Sequence, residues 1–150
     1  MALKIINYRQ ANDNDFDLTF TIKTNSSRQL VEKIWGWDNA IQIDYHKRQF
    51  NPNKTKIIIY ENNQVGYISI FETDDTIFIE NIHIDTAFQG KGIGTKVILD
   101  TIKIAVRHNK NIELQVIKIN ESAIRLYERL DFETFEQKDL HYKMRYKPNE

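Results

Sequence analysis

Residues Phe88 to Lys96 read FQGKGIGTK and hold Gly90, Gly92 and Gly94, three of the five glycines in the chain. A helical pattern follows them directly. Glycines at the start of a helix let an anion come close to successive backbone N–H groups, and the helix dipole favours the same charge. The same residues also suit a plain strand-to-helix turn, and the glycines alone leave both readings open. Gly90 is not followed at the required spacing by Gly-Lys-Ser/Thr, which excludes a Walker phosphate loop. A dinucleotide fingerprint would need glycine at Thr95 and an acid at the end of the next strand, where Val116 to Ile119 offers none; this argues against it.

The remaining chemistry-bearing residues exclude more than they select. Cysteine is absent, which removes disulfides, thiolate metal sites and a cysteine nucleophile. His46, His83, His108 and His141 lack metal-ligand spacing, so no metal is expected. Lys and Arg number 21 and so do Asp and Glu, leaving no positive field to gather nucleic acid or an anionic membrane. The terminal HYKMRYK alternates basic and apolar residues, as a strand with one solvated face does. The start, MALKIINYRQ, also alternates instead of forming an apolar signal segment, and no stretch approaches the roughly 20 apolar residues of a membrane span. A cytoplasmic protein is expected.

The elements that must position these residues follow from periodicity. With 150 residues and 41% hydrophobic content, the chain suits a single domain, residues 1–150, with one core. Leu3 to Tyr8 reads as a strand ended by QANDND, a turn and helix cap. From Asp15 to Trp37 apolar residues recur at helical spacing, with a break expected at TNSSR and a second cap at Ser26 or Ser27. Asp38 caps a further helix that Pro52 closes. Lys56 to Glu61, Val65 to Phe71 and Thr76 to Asp85 are β-branched or aromatic runs separated by NNQ and TDD, a three-strand meander. Thr95 to His108 is a helix, Asn111 to Ile117 a strand, Asn120 to Leu130 a short amphipathic helix, and Phe132 to Phe135 with Asp139 to Tyr146 a closing hairpin.

Gln89, Gly92 and Gly94 match Gln/Arg-x-x-Gly-x-Gly/Ala, and NESAIRLYERLDF, Asn120 to Phe132, carries an Asn that opens a helix and a Tyr near its end. On these two motifs, the chain resembles the GNAT superfamily of acyl-CoA-dependent N-acyltransferases. The usual Gly before the closing Phe is Asp131, a position that needs a left-handed backbone, which Asp tolerates better than most residues. The implied fold is α+β: a central, mostly antiparallel mixed sheet with splayed fourth and fifth strands, flanked by helices.

The resemblance implies acetyl-CoA as cosubstrate and a primary amine of a small molecule or peptide as acceptor. It assigns the cofactor to Ile82, His83 and Ile84 on the fourth strand, to Gln89, Gly90, Lys91, Gly92, Ile93, Gly94 and Thr95 in the glycine turn, and to Asn120 and Tyr127. The amine must lose a proton before it attacks, and Glu80, set among apolar residues on the face of Phe78, Ile82 and Ile84, is the candidate base. Tyr127 is the candidate donor to the departing sulfur. Phe78 stands where some relatives place a base, which motivates an alternative: a non-catalytic acyl-CoA-binding or protein-interaction module on the same fold. WGWD, Trp35 to Asp38, lies on the expected acceptor side and is read as core packing. A homodimer is an open expectation, since dimers are frequent in the superfamily.

Overall fold

The structure is a computed structural model that describes residues 5–148. Its strands are β1 (Ile6–Gln10), β2 (Thr55–Tyr60), β3 (Asn63–Glu72), β4 (Thr76–Ile84), β5 (Asn111–Ile117), β6 (Glu133–Gln137) and β7 (His141–Tyr146). Its helices are α1 (Phe16–Trp35), α2 (Asn39–Gln49), α3 (Ile93–His108) and α4 (Glu121–Arg129). Leu3 and Lys4, where the first strand is expected to begin, lie outside the described residues. The strands form a mixed seven-stranded sheet in the order β1-β2-β3-β4-β5-β7-β6. Antiparallel pairs join β1 to β2, β2 to β3, β5 to β7 and β6 to β7, whereas β4 and β5 run parallel.

The chain forms two compact units, one ending at Ser69 and resuming over Asn81–Gly94, the other formed by Ile70–Glu80 and the chain from Thr95 onward. In the first unit, Arg9 makes a bidentate ion pair with Asp15 at 2.7 and 2.9 Å. Asp15 also completes a capping box with Asn12, so QANDND turns the chain from β1 into α1 as its residue types require. Ala11, Ile22, Ile57 and Tyr67 form a buried cluster with Leu18 against it. The break expected at TNSSR is absent, and α1 runs unbroken through it. Ser26 and Ser27 instead donate their hydroxyl protons back to the carbonyl of Lys23, at 3.2 and 2.6 Å, which satisfies them inside a helix. Asp38 caps α2 through the N–H of Ile41 at 3.1 Å.

Between β2 and β3 the register passes from Ile58↔Gly66 to Ile59↔Gln64, leaving Val65 as the extra residue of a bulge. The Val65 carbonyl accepts the N–H of Asp85 at 2.8 Å, which fixes the exit from β4. A Cβ on Gly66 would lie 2.3 Å from the His83 carbonyl oxygen and 2.9 Å from Ile84 Cδ1. Glycine is needed here because the two strands come so close.

In the second unit, β4 pairs with β5 from Thr76↔Asn111 to Ile79↔Leu114. Beyond that ladder β4 continues to Ile84, while Gln115, Val116 and Ile117 of β5 pair with β7. Buried Ile77, Val97, Ile98, Ala105, Ile112, Leu114, Val116, Phe132 and Met144 supply this unit's core. The α3 members fall at helical spacing, as the sequence pattern requires. At its end, Asn109 takes a left-handed φ of 53°, and the N–H of Lys110 reaches back to the Ala105 carbonyl at 2.9 Å.

Candidate functional site

The residues assigned by resemblance divide between the units. Ile82, His83, Ile84 and Gln89 through Gly94 belong to the first; Glu80, Thr95, Asn120 and Tyr127 belong to the second.

In the first unit the end of β4 is fastened to the glycine turn. Asp85 caps a single 3₁₀ turn, Thr86–Phe88, through the N–H of Ala87 at 3.1 Å. Its other oxygen accepts from Asn25 Nδ2 of α1 at 2.9 Å, while the Thr86 hydroxyl donates to the Asn25 carbonyl. Gln89 folds its side chain back and donates from Nε2 to the Ile84 carbonyl at 2.9 Å, closing the loop. Its own N–H is engaged with the Thr86 carbonyl at 3.3 Å. Gly90 and Gly92 take φ of 76° and 81°, the left-handed region where other side chains are strained. A Cβ at either would meet nothing within 4 Å, so the space over the turn is open. Among the described residues, no backbone carbonyl outside helices and strands accepts from the N–H groups of Gly90, Lys91 or Gly92. Helix α3 begins at Ile93, and its first-turn N–H groups have no intrahelical partner by geometry. Gly94 lies inside that first turn. Lys91 is exposed. These donors suit a diphosphate.

Ile82, His83 and Ile84 are half-buried. Nδ1 of His83 lies 2.7 Å from the Ser26 hydroxyl of α1, and its ring packs 5.3 Å from that of Tyr67 on β3. Desolvation, and secondarily the charges of Lys23 and His46, push the His83 pKa down to about 3, so the ring is neutral at pH 7. Burial alone pushes the Tyr67 hydroxyl up.

A second group, on α1 and α2, was not singled out from the sequence. The Thr19 hydroxyl donates to the Asp15 carbonyl at 2.8 Å and lies 2.9 Å from His46 Nε2. With its proton so placed, the Thr19 oxygen accepts N–H from Nε2, and Nδ1 of the neutral ring accepts from Lys23 Nζ at 3.4 Å. Desolvation, helped by the Lys23 charge, holds the His46 pKa down at about 4 and keeps that ring neutral. Phe16, Phe20 and Phe50 surround it, with ring centroids 4.8 to 5.5 Å from its own. Lys23 is only 8% exposed, and burial lowers its pKa to about 8. The spacing Thr19, Ile22, Lys23, Ser26 puts this lysine on the buried stripe of α1, a signal that the helix pattern contained.

In the second unit Glu80 is exposed, so the apolar burial expected around it is not its environment. Phe78, on the same strand, packs instead against Phe71, with centroids 6.0 Å apart. Asn120 is the N-cap of α4: its Oδ1 accepts the N–H of Ala123 at 3.3 Å. Tyr127 is buried in the last turn of that helix, and burial raises its pKa to about 12, so the phenol keeps its proton. Asp131 has φ of 69°, the left-handed conformation expected of it. Trp35 is 57% exposed and does not pack as core. Among the described residues no group of three or more His, Cys, Asp or Glu side chains could hold a metal ion, and no helix is long and apolar enough to cross a membrane.

A structure with this arrangement has known counterparts. It is similar to the PaiA N-acetyltransferase from Thermoplasma acidophilum solved in complex with coenzyme A: TM-score 0.77, 13% identity, covering 95% of this chain and 99% of that one. It is also similar to the ribosomal-protein alanine N-acetyltransferase from Escherichia coli: TM-score 0.70, 16% identity, covering 95% of this chain and 94% of that one. At such identities these likenesses show the fold. In sequence, 69 residues are 39% identical to an uncharacterized N-acetyltransferase of Methanocaldococcus jannaschii, a match spanning 45% of this chain and 30% of that protein. The model of the Acetyltransferase (GNAT) family matches residues 22–132, most of the chain and parts of both units. The chain belongs to the GNAT acetyltransferase family.

Proposed function

We propose that this chain is an acetyl-CoA-dependent N-acetyltransferase, acting in the cytoplasm on a primary amine of a small molecule or peptide, with residues 1–150 as one catalytic domain. The observation that carries the reading is the glycine turn: left-handed Gly90 and Gly92, open space above them, and N–H donors leading into α3. The amides from Gly90 to Thr95 hold the diphosphate, with Lys91 adding charge. Gln89 contributes by shaping the loop, since its N–H and Nε2 already serve neighbouring carbonyls. The backbones of Ile82, His83 and Ile84 hold the pantetheine arm, and Asn120 contributes its side-chain amide beside its capping role.

Acetyl-CoA supplies an acetyl thioester. The amine nitrogen forms a bond to the acetyl carbon, the carbon–sulfur bond breaks, and the sulfur leaves as thiolate. Glu80, directly or through water, accepts the amine proton. Tyr127 acts on the sulfur as a hydrogen-bond donor. Full proton transfer from a phenol of pKa about 12 to the thiolate of an alkyl thiol, a stronger acid than this phenol, would run uphill, whereas a hydrogen bond to the developing charge does not.

The test is release of free thiol from acetyl-CoA over a panel of primary amines. Turnover with a defined amine supports the reading. Acetyl-CoA binding with no turnover of any amine would favour a non-catalytic module, a reading to which the exposed position of Glu80 also gives weight. Self-association in solution is settled separately by light scattering.

A further inference from the structure

Lys23 sits on α1 with 8% of its surface exposed, in an environment built to hold it in one place. His46 accepts one of its N–H groups at Nδ1, and the order of donors through Thr19 to the Asp15 carbonyl fixes the ring tautomer that makes this acceptance workable. The Tyr45 ring lies 4.9 Å from Nζ and offers its negative face. An ammonium has three N–H donors, and His46 takes one. Among the described residues no carboxylate is paired with Nζ; Asp15, whose carbonyl ends the hydrogen-bond chain through Thr19, is joined to Arg9 through both oxygens. Asp85, on the loop that α1 fastens, is occupied by Asn25 and the N–H of Ala87.

A buried cation without an acid partner is costly, and natural chains rarely keep one for stability. A pKa of about 8 leaves it charged at pH 7. The two imidazoles that feel this charge, His46 and His83, are both kept neutral, chiefly by burial and partly by the Lys23 charge itself. The compact positive charge and the N–H donors that His46 does not take suit a carboxylate oxygen, which pairs with an ammonium through a charge-assisted hydrogen bond.

We propose that Lys23 is the anchor for a carboxylate carried by the amine acceptor, so that preferred acceptors bear an acid group a fixed distance from the amine that is acetylated. The inference rests on the reading of the chain as an amine acetyltransferase and narrows its substrate class. A free amino acid and a peptide with an acidic side chain share this chemistry.

The experiment compares matched pairs. Initial rates with acetyl-CoA are measured for a series of ω-amino acids of increasing chain length against their carboxamides, and for peptide amides with Asp or Glu near the N-terminus against Asn or Gln. A paired, desolvated carboxylate should give the acid member a kcat/KM about 10- to 100-fold above its neutral partner at one best chain length, through KM. In Lys23→Met that ratio should fall toward one. The arm in which the ratio appears distinguishes free amino acids from peptides. Equal rates for the members of every pair, or a ratio that Lys23→Met leaves in place, would overturn the anchor while the acetyltransferase reading stands. A protein that turns over no amine sinks the wider reading instead. A second measurement covers that result and a variant that does not fold: in the wild-type protein with isotope-labelled lysine, the Lys23 side-chain resonances should move saturably with propionate and stay fixed with propionamide. Resonances that ignore propionate would overturn the proposal.

Discussion

The carbonyl of Tyr127 accepts the N–H of Phe132 at 3.0 Å, and the two rings pack with centroids 5.7 Å apart. This is a Schellman closure: Asp131, whose N–H meets the Glu128 carbonyl at 3.1 Å, supplies the left-handed residue, and the contact between the two aromatic side chains completes it. Tyr127 is thus held from behind, by its main chain and its ring.

Because Asp pays a left-handed penalty that glycine does not, Asp131→Gly should raise stability by about 0.5–1 kcal/mol, and a β-branched residue there should lower it. Urea unfolding measures both. A glycine variant less stable than the wild type would contradict this account of the turn.

Gly66→Ala places a Cβ 2.3 Å from a backbone oxygen that cannot swing aside. The expected loss is about 2 kcal/mol or more, with weaker acetyl-CoA affinity because β4 must shift at His83 and Ile84. An alanine variant with wild-type stability and affinity would show that the strands have room.

The folded chain should lose stability in mild acid. The His46 pKa falls from 6.5 to about 4 on folding. Above pH 6.5 the ring is neutral folded or unfolded, and its contribution is complete. As pH falls from about 6.5 to about 4, the unfolded chain binds the proton first, and roughly 3 kcal/mol is lost. His83, whose pKa is also held down, adds to the same slope. Asp15, held below its usual value chiefly by its hydrogen bond to Arg9, loses its contribution only at lower pH. Stability measured from pH 7.5 to 4 should fall steadily, and less steeply in His46→Gln; equal slopes would contradict burial of a neutral ring.

Much of this architecture was legible because local residue types agreed with it. The β-branched runs separated by NNQ and TDD became β2, β3 and β4, and the three glycines became the turn into α3. Asp131 declared its backbone through the motif around it. The continuity of α1 was hidden, because serines that cap helices elsewhere turn their hydroxyls back on the Lys23 carbonyl here. The pairing of Lys23 with His46 was hidden for a different reason. It depends on how α1 meets α2, a tertiary relationship that neither helix pattern encodes alone. Glu80 shares a strand face with Phe78 and Ile82, as alternation requires, yet Phe78 packs against Phe71 and the structure leaves Glu80 exposed.

Tyr127→Phe removes a donor to charge on sulfur while keeping the packing on Phe132. Turnover should fall about 10- to 100-fold, with acetyl-CoA affinity within about twofold of the wild type. Unchanged turnover would assign the phenol a packing role only.

N–H groups from Gly90 to Thr95 that receive the coenzyme diphosphate should report its arrival when nitrogen-labelled protein is titrated with coenzyme A. The amide resonances of Gly90, Gly92 and Gly94 should show the largest shifts and saturate together, with protection from exchange. Saturable binding of coenzyme A that leaves those three amides where they were, or no binding at millimolar coenzyme, would contradict the account.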